Sequence, residues 1–388
     1  MTARPCPVCG RAVGEPVLRR DDAPVFCNVL WTSAEEAREA ATGTIDLRWC
    51  SDCQMLWNAA FDARLTEDAP GYENSLHASG VFEDYAQALA ERLVERYDLA
   101  GKTIVDVGSG RGEFLTLLCA GGRNRGLGFD PNVADDAADR MPEHVRLVRD
   151  TYTEEHAAAA LPDFVSCRHV LEHVGDPRSF LGDLRRLLEL RRGAVLYLEV
   201  PCGDWILRDE AVWDVIYEHP SYFSETALLA LLAHAGFRVL DHGTSFGGQY
   251  LWAEATANGG SRARAGDGGA RLDDFVASFG HAFTREVAVW ERRLDAFLAD
   301  GSVALWGAGS KGITFLTSVP GTNGIPFVVD MSAYKHGRHV PLTGQEVVPA
   351  AALAGTGVRT VLAMNPLYAD EIAADLAGLG VDAGVVVA

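Results

Sequence analysis

The chain has 388 residues, with 34 Lys+Arg against 54 Asp+Glu and a formal charge of −20. That surplus of acid argues against nucleic acid as a partner, because phosphate contacts need clustered cations. An apolar fraction of 48% and a charged fraction of 23% describe a folded chain long enough for two or three cores. The first ten residues, MTARPCPVCG, lack the basic and apolar regions of a signal peptide, and no uncharged apolar run reaches the roughly 18 residues of a membrane span. A cytoplasmic protein with no membrane partner is expected.

Residues 1–75 are punctuated by Pro and Gly and contain two C-x2-C pairs, Cys6 with Cys9 and Cys50 with Cys53. Four thiolates in two such knuckles can close a tetrahedral structural Zn2+ site with no open position. Gly10 suits the tight turn after the first knuckle, whereas Gln54 after the second does not. The 40 residues between the knuckles imply an inserted excursion around 27–45. A helix is expected from about Val81 to Leu99, where Phe82, Tyr85, Leu89, Leu93 and Tyr97 form one apolar stripe.

From Lys102 the chain alternates short β-rich runs with helical segments, the texture of a parallel sheet with its ligand crevice at the strand C-termini. The first run ends in Asp106-Val-Gly108-Ser109-Gly110-Arg-Gly112-Glu-Phe114. Glycines there let the backbone approach a ligand closely, and the helix that follows offers free N–H groups. The next run ends in Asp130-Pro131, where an acid typically takes a ribose diol. Asp150 and Thr151 follow the third run, at the expected adenine edge. Arg168-His169-Val-Leu-Glu172-His173 follows the fourth; on a helix His169 and His173 would share a face.

Further on, Tyr217-Glu218-His219-Pro-Ser-Tyr222 places a carboxylate and two phenols around a histidine, whose ordinary pKa suits it to general-base work. The segment 255–274 is rich in Gly and charge and reads as a linker, with an amphipathic helix from Phe275 to about Leu298 after it. A second βα alternation begins near residue 300. Its Trp306-Gly-Ala-Gly-Ser-Lys311-Gly turn and Asp330 can hold a phosphate or serve structure alone.

Together these elements predict an α/β protein. A zinc-binding domain spans 1–75, a Rossmann-like cofactor domain 76–255, a linker and helix 256–298, and a second Rossmann-like domain 299–388. The glycine motif and Asp130 resemble motifs I and II of class I S-adenosylmethionine-dependent methyltransferases. With the four cysteines, the YEHPSYFS and FGGQYLWAEA segments and the terminal GAGSKG unit, the order resembles the sugar C-methyltransferases of antibiotic biosynthesis over nearly the whole chain. The resemblance implies S-adenosylmethionine held by Asp106, Gly108, Ser109, Gly110, Gly112, Phe114, Asp130, Pro131, Asp150, Thr151 and His169. It further implies structural zinc and a nucleotide-linked deoxy-keto-sugar or similar small acceptor, methylated at a carbon beside its ketone. In that scheme His219, oriented by Glu218, removes the proton, and Tyr222, Tyr217 and His173 are candidate donors to the enolate oxygen. A monomer or weak homo-oligomer is expected. O- or N-methylation of a small molecule and non-catalytic sensing of the cofactor are the alternative readings.

Overall fold

A computed structural model describes residues 4–12, 14–67, 75–122, 124–134, 136–257 and 271–388. Most of the expected linker therefore lies outside the described residues.

Near the N-terminus, β1 (Leu18–Pro24), β2 (Thr42–Cys50) and β3 (Met55–Asn58) form an antiparallel sheet. The central sheet begins with β4 (Thr103–Val107), β5 (Arg125–Phe129), β6 (Val145–Val148), β7 (Phe164–Arg168) and β8 (Val195–Pro201), all parallel. The next strand, β9 (Ser221–Phe223), leaves that sheet and pairs antiparallel with β3. Then β10 (Arg238–Ser245) and β11 (Tyr250–Thr256) return as antiparallel strands, giving the order β10-β11-β8-β7-β4-β5-β6. Order reverses between β4 and β7, so a ligand crevice belongs at their C-terminal ends. Ile104, Val105, Phe164 and Val165 are fully buried, as strands covered on both faces require.

The third sheet is entirely parallel: β12 (Ser302–Trp306), β13 (Phe327–Val329), β14 (Val347–Val348), β15 (Val358–Ala363) and β16 (Gly384–Val387), in the order β14-β13-β12-β15-β16.

The amphipathic helix before β4 covers Gly80–Arg96, with Ser79 capping its start and Phe82, Ala86, Leu89, Ala90 and Leu93 buried. It stops short of Leu99: Tyr97 is its C-cap, and Asp98 takes a left-handed conformation. Arg92 and Arg96 from its last turns ion-pair with Glu254, which is fully buried on β11. The helix Asp273–Asp300 is about 42 Å long at 1.5 Å per residue. It starts against the first sheet, where Trp49 Nε1 donates to Asp273 Oδ1 at 3.0 Å and where Gly280 leaves no room for a Cβ beside the Val17 carbonyl. It ends at β12.

The excursion between the cysteine pairs reaches the third sheet. Trp31 and His339 exchange backbone hydrogen bonds at 2.9 and 3.0 Å, and Arg20 Nη2 donates to the Thr317 carbonyl at 3.2 Å. The inserted segment is thus a brace between the first and last sheets. Among the described residues no helix is long and apolar enough to cross a membrane.

Candidate active site

A cavity of about 1090 Å³ opens at the C-terminal ends of β4, β5 and β7 and extends to the turns after β12, β13 and β15. It exceeds the usual 300–1,000 Å³ of a one-ligand pocket, which suits a cofactor and an acceptor side by side.

The turn after β4 is built for close approach. Gly108, Gly110 and Gly112 have φ of 72°, 52° and 79°. A Cβ on Gly108 would stand 2.1 Å from Val170 Cγ2, and one on Gly112 would stand 2.8 Å from Met141 Sδ. Gly110 N–H donates to Asp130 Oδ2 at 3.0 Å, tying the ends of β4 and β5 together. Ser109 Oγ is buried without a hydrogen-bond partner, the kind of orphan that a bound polar ligand satisfies. Asp106 donates nothing in its ionised form and accepts from Ser166 Oγ at 2.5 Å; burial raises its carboxyl to about 6. Phe114 lies under the Arg168 guanidinium, 4.1 Å from its ring centroid. Asp106, Gly108, Ser109, Gly110, Phe114, Asp130, Pro131, Thr151 and His169 all line the cavity. Gly112 and Asp150 do not: Gly112 packs against Met141 and Leu147, and Asp150 is exposed, accepting from the Thr151 amide, while Tyr152, Thr153 and Glu154 occupy the wall. An orphaned hydroxyl, a glycine cradle and an acid at the second strand end fit S-adenosylmethionine.

The residues after β7 do not continue as a helix. His169 has φ 53°, and a single 3-10 turn covers Leu171–His173, so the shared helical face expected of His169 and His173 does not exist. His169 turns toward two carboxylates, with Nδ1 3.4 Å from Glu172 Oε1 and Nε2 3.3 Å from Glu199 Oε1. Burial opposes its protonation, but these carboxylates outweigh it and raise the imidazole to about 9. Buried Glu199 also accepts from Arg168 Nε at 2.8 Å, Tyr85 Oη at 2.5 Å and Tyr197 Oη at 2.7 Å. Burial opposes its ionisation, yet Arg168 and His169 hold it well below the ordinary carboxylate range. The sequence places Tyr85 in an apolar stripe and Arg168 at the end of the fourth run without linking either to Glu199; an acid in the middle of an apolar β8 is the available signal.

His219 lines the same cavity, its ring 4.6 Å from that of His173 at 81°. Burial, and then the unfavourable proximity of the His173 and His169 imidazoles to a second positive charge, pushes its pKa well below the ordinary imidazole value, which favours the neutral ring. His173 is also depressed by burial; its Nδ1 lies 3.0 Å from the Glu218 carbonyl oxygen, an acceptor, so Nδ1 carries the hydrogen and Nε2 the lone pair. A neutral His173 therefore has no hydrogen to give an enolate oxygen.

The neighbours of His219 differ from the expectation. The Glu218 carboxylate points to the excursion of the N-terminal lobe, accepting from the Cys27 amide at 2.5 Å and from the Asn28 amide. Burial raises its carboxyl to about 7 against those amides. Glu218 thus pins the loop rather than the imidazole. Tyr217 is buried outside the cavity, its hydroxyl accepting from the Asp62 amide at 2.9 Å. Tyr222 is buried too and closes on the backbone of Ile216, accepting from its N–H and donating to its carbonyl at 2.9 Å. Both phenols have their hydroxyls spent on backbone, which removes them as donors to substrate.

Across the cavity, Lys311 Nζ is 2.9 Å from Asp214 Oδ2 and donates to Gln249 Oε1 at 3.2 Å. Gln249 and Asn365 exchange side-chain hydrogen bonds at 2.8 and 3.0 Å. Lys335 lies 3.1 Å from Asp330. These groups give the far wall a polar, charge-balanced lining that the sequence did not assign to the same cavity as Gly108.

The four cysteines of the N-terminal lobe converge, with all their sulfurs within 4.8 Å of one another. The Cys9 and Cys50 sulfurs are 3.8 Å apart, and Zn–S bonds of about 2.3 Å in a tetrahedron set the edge at about 3.8 Å. The donor set fits Zn2+. Gln54 itself takes φ 51°, supplying the left-handed turn that glycine supplies at Gly10.

Two family models match this chain, "Methyltransferase domain" over residues 77–242 and "C-methyltransferase C-terminal domain" over residues 273–388. The protein is an S-adenosylmethionine-dependent methyltransferase. C-methyltransferase NovU of Streptomyces niveus is 26% identical over 359 residues, 87% of this methyltransferase and 83% of that protein. The ubiquinone biosynthesis O-methyltransferase of Pseudomonas paraeruginosa is 36% identical over 101 residues, 24% of this chain and 43% of that one. The structure of 1,6-didemethyltoxoflavin-N1-methyltransferase from Burkholderia thailandensis aligns over 54% of this chain and 97% of its own, with TM-score 0.35 and 19% identity.

Proposed function

We propose that the methyltransferase alkylates a carbon beside a ketone of a small acceptor, a nucleotide-linked deoxy-keto-sugar being the class that fits best, with His219 as the base. The observation that carries this reading is a neutral imidazole on the wall of the cavity that also holds the Gly108–Gly112 turn. A carbon acid needs a lone pair to take its proton, whereas an amine acceptor brings its own nucleophile. The extent of the NovU similarity, 87% of this chain, and the match of a C-methyltransferase C-terminal domain over residues 273–388 support the same choice.

Gly108, Gly110 and Asp130 would hold the amino-acid and ribose parts of S-adenosylmethionine, and Ser109 Oγ would gain its missing partner. When bound, that cofactor supplies an electrophilic methyl group on a sulfonium. His219 takes the α-proton, leaving a carbon nucleophile facing the same space. The polar wall around Lys311, Gln249 and Asn365 would meet the nucleotide end of the acceptor. Zn2+ would hold the N-terminal lobe through Cys6, Cys9, Cys50 and Cys53 and take no part in the chemistry.

The test is proton exchange. A nucleoside-diphosphate-linked deoxy-keto-sugar incubated in D2O with the enzyme and S-adenosylhomocysteine should gain deuterium beside the ketone, and His219→Asn should stop the gain. Methylation at oxygen or nitrogen with no exchange would overturn the carbon-acid reading.

A further inference from the structure

Glu172, His173 and His219 meet on the cavity wall in an arrangement that methyl transfer does not use in full. One carboxylate oxygen and one ring nitrogen from each histidine lie within 4.8 Å of one another. Glu172 is 1% exposed, and its Oε2 is buried with no hydrogen-bond partner. A buried carboxylate oxygen left unpaired is costly unless a cation or donor meets it. The two histidines are held neutral by burial, and neutral imidazole is the form that ligates metal. His173 adds a second feature of ligating histidines: its far nitrogen donates to a backbone carbonyl, that of Glu218, which fixes the tautomer and aims Nε2 away from it.

We propose that Glu172, His173 and His219 form a binding site for a first-row divalent transition-metal cation, distinct from the cysteine cluster. Two imidazoles and one carboxylate are a common donor set for such ions, with remaining positions open to water or ligand. Nitrogen and oxygen ligands at about 2.0–2.2 Å stand roughly 3.3 Å apart in a tetrahedron, so groups within 4.8 Å of one another need to close by at most about 1.5 Å when the ion enters. A metal-bound His219 has no lone pair for a proton. Resting on the reading of His219 as base, cation and acceptor proton therefore compete for one nitrogen, and the loaded enzyme is inhibited.

The probe is Co2+, titrated into the full-length protein with its cysteine cluster filled by Zn2+. We expect one equivalent to bind with visible d–d bands and without the intense charge-transfer absorption that thiolate ligands give. Glu172→Gln should weaken that binding by about 100-fold or more. His173→Gln is the second variant, with the melting transition of each compared with the parent. Unchanged Co2+ binding in both folded variants, or a spectrum dominated by sulfur charge transfer, overturns the site. Inhibition of methyl transfer should follow the same midpoint as the spectral titration. A site that forms, responds to Glu172→Gln and leaves turnover untouched supports the cation site and overturns His219 as the base.

Discussion

Replacing His219 with Asn keeps a polar side chain on the wall but removes the only lone pair the proposed reaction draws on there. A positioned general base typically contributes about 10²–10⁴ in rate. Its contribution here should fall toward the lower part of that range. An imidazole with an ordinary pKa near 6.5 is already mostly neutral at pH 7.5, so the depression caused by burial adds little to the reactive population while it lowers the basicity. We therefore expect kcat to drop about 10²–10³-fold, or about 3–4 kcal/mol in barrier at 1.36 kcal/mol per decade. The affinity for S-adenosylmethionine, measured by calorimetry, should be unchanged, because the Gly108–Gly112 turn and Asp130 take their contacts from β5 and Val170. For the parent enzyme, the acid limb of kcat/KM should lie below the usual imidazole value. A variant whose kcat stays within threefold of the parent, or one whose loss comes entirely through weaker cofactor binding, would refute the assignment.

Two further perturbations follow from burial and from the metal-ligand set. Glu218 has a folded-state pKa of about 7 against an ordinary 4.5; because the native state holds its proton more tightly, this carboxyl favours folding fully below pH 4.5 and loses that contribution as pH rises through 7. At 1.36 kcal/mol per unit the loss is about 3 kcal/mol, so Glu218→Gln, whose amide oxygen can still accept from Cys27 and Asn28, should raise the melting temperature more at pH 8 than at pH 5. An equal effect at both values would contradict it. Cys53→Ser should release zinc, measured by elemental analysis, and lower the melting temperature of the first lobe; retention of a full equivalent of metal with unaltered melting would contradict the four-sulfur site.

The parts of this enzyme that were readable in its sequence are those whose chemistry is local. The Gly108–Gly112 turn needs positive φ within five residues of one strand, and the cysteine knuckles announce themselves by spacing. What escaped was the partner of each polar group when the partner is distant. Glu218 was paired with its neighbour His219 because they are adjacent, yet its carboxylate bonds an amide 191 residues away. Tyr217 and Tyr222 flank the histidine in sequence, but β9 turns the segment into the first sheet and buries both hydroxyls on backbone. The link between Arg168 and Glu199 has no sequence pattern; only the packed structure shows three donors, Arg168, Tyr85 and Tyr197, converging on one carboxylate beside the His169 ring. Gln54 illustrates the opposite error, in which a residue disfavoured for a left-handed turn adopts it because the cysteine knuckle and β3 over-determine the backbone.

The strand β9 carries a wider implication. Two residues after His219, the chain leaves the vicinity of the central sheet, whose strand ends line the cavity, and becomes the outer rung of the cysteine-bearing one. The cysteine-bearing lobe is therefore the workbench vice in which the loop carrying His219 is clamped, and Phe26 and Asn28 of that lobe reach the cavity wall beside it. Trading this lobe between relatives, or trimming it as an ornament, would take away the strand partner that fixes where the His219 loop points.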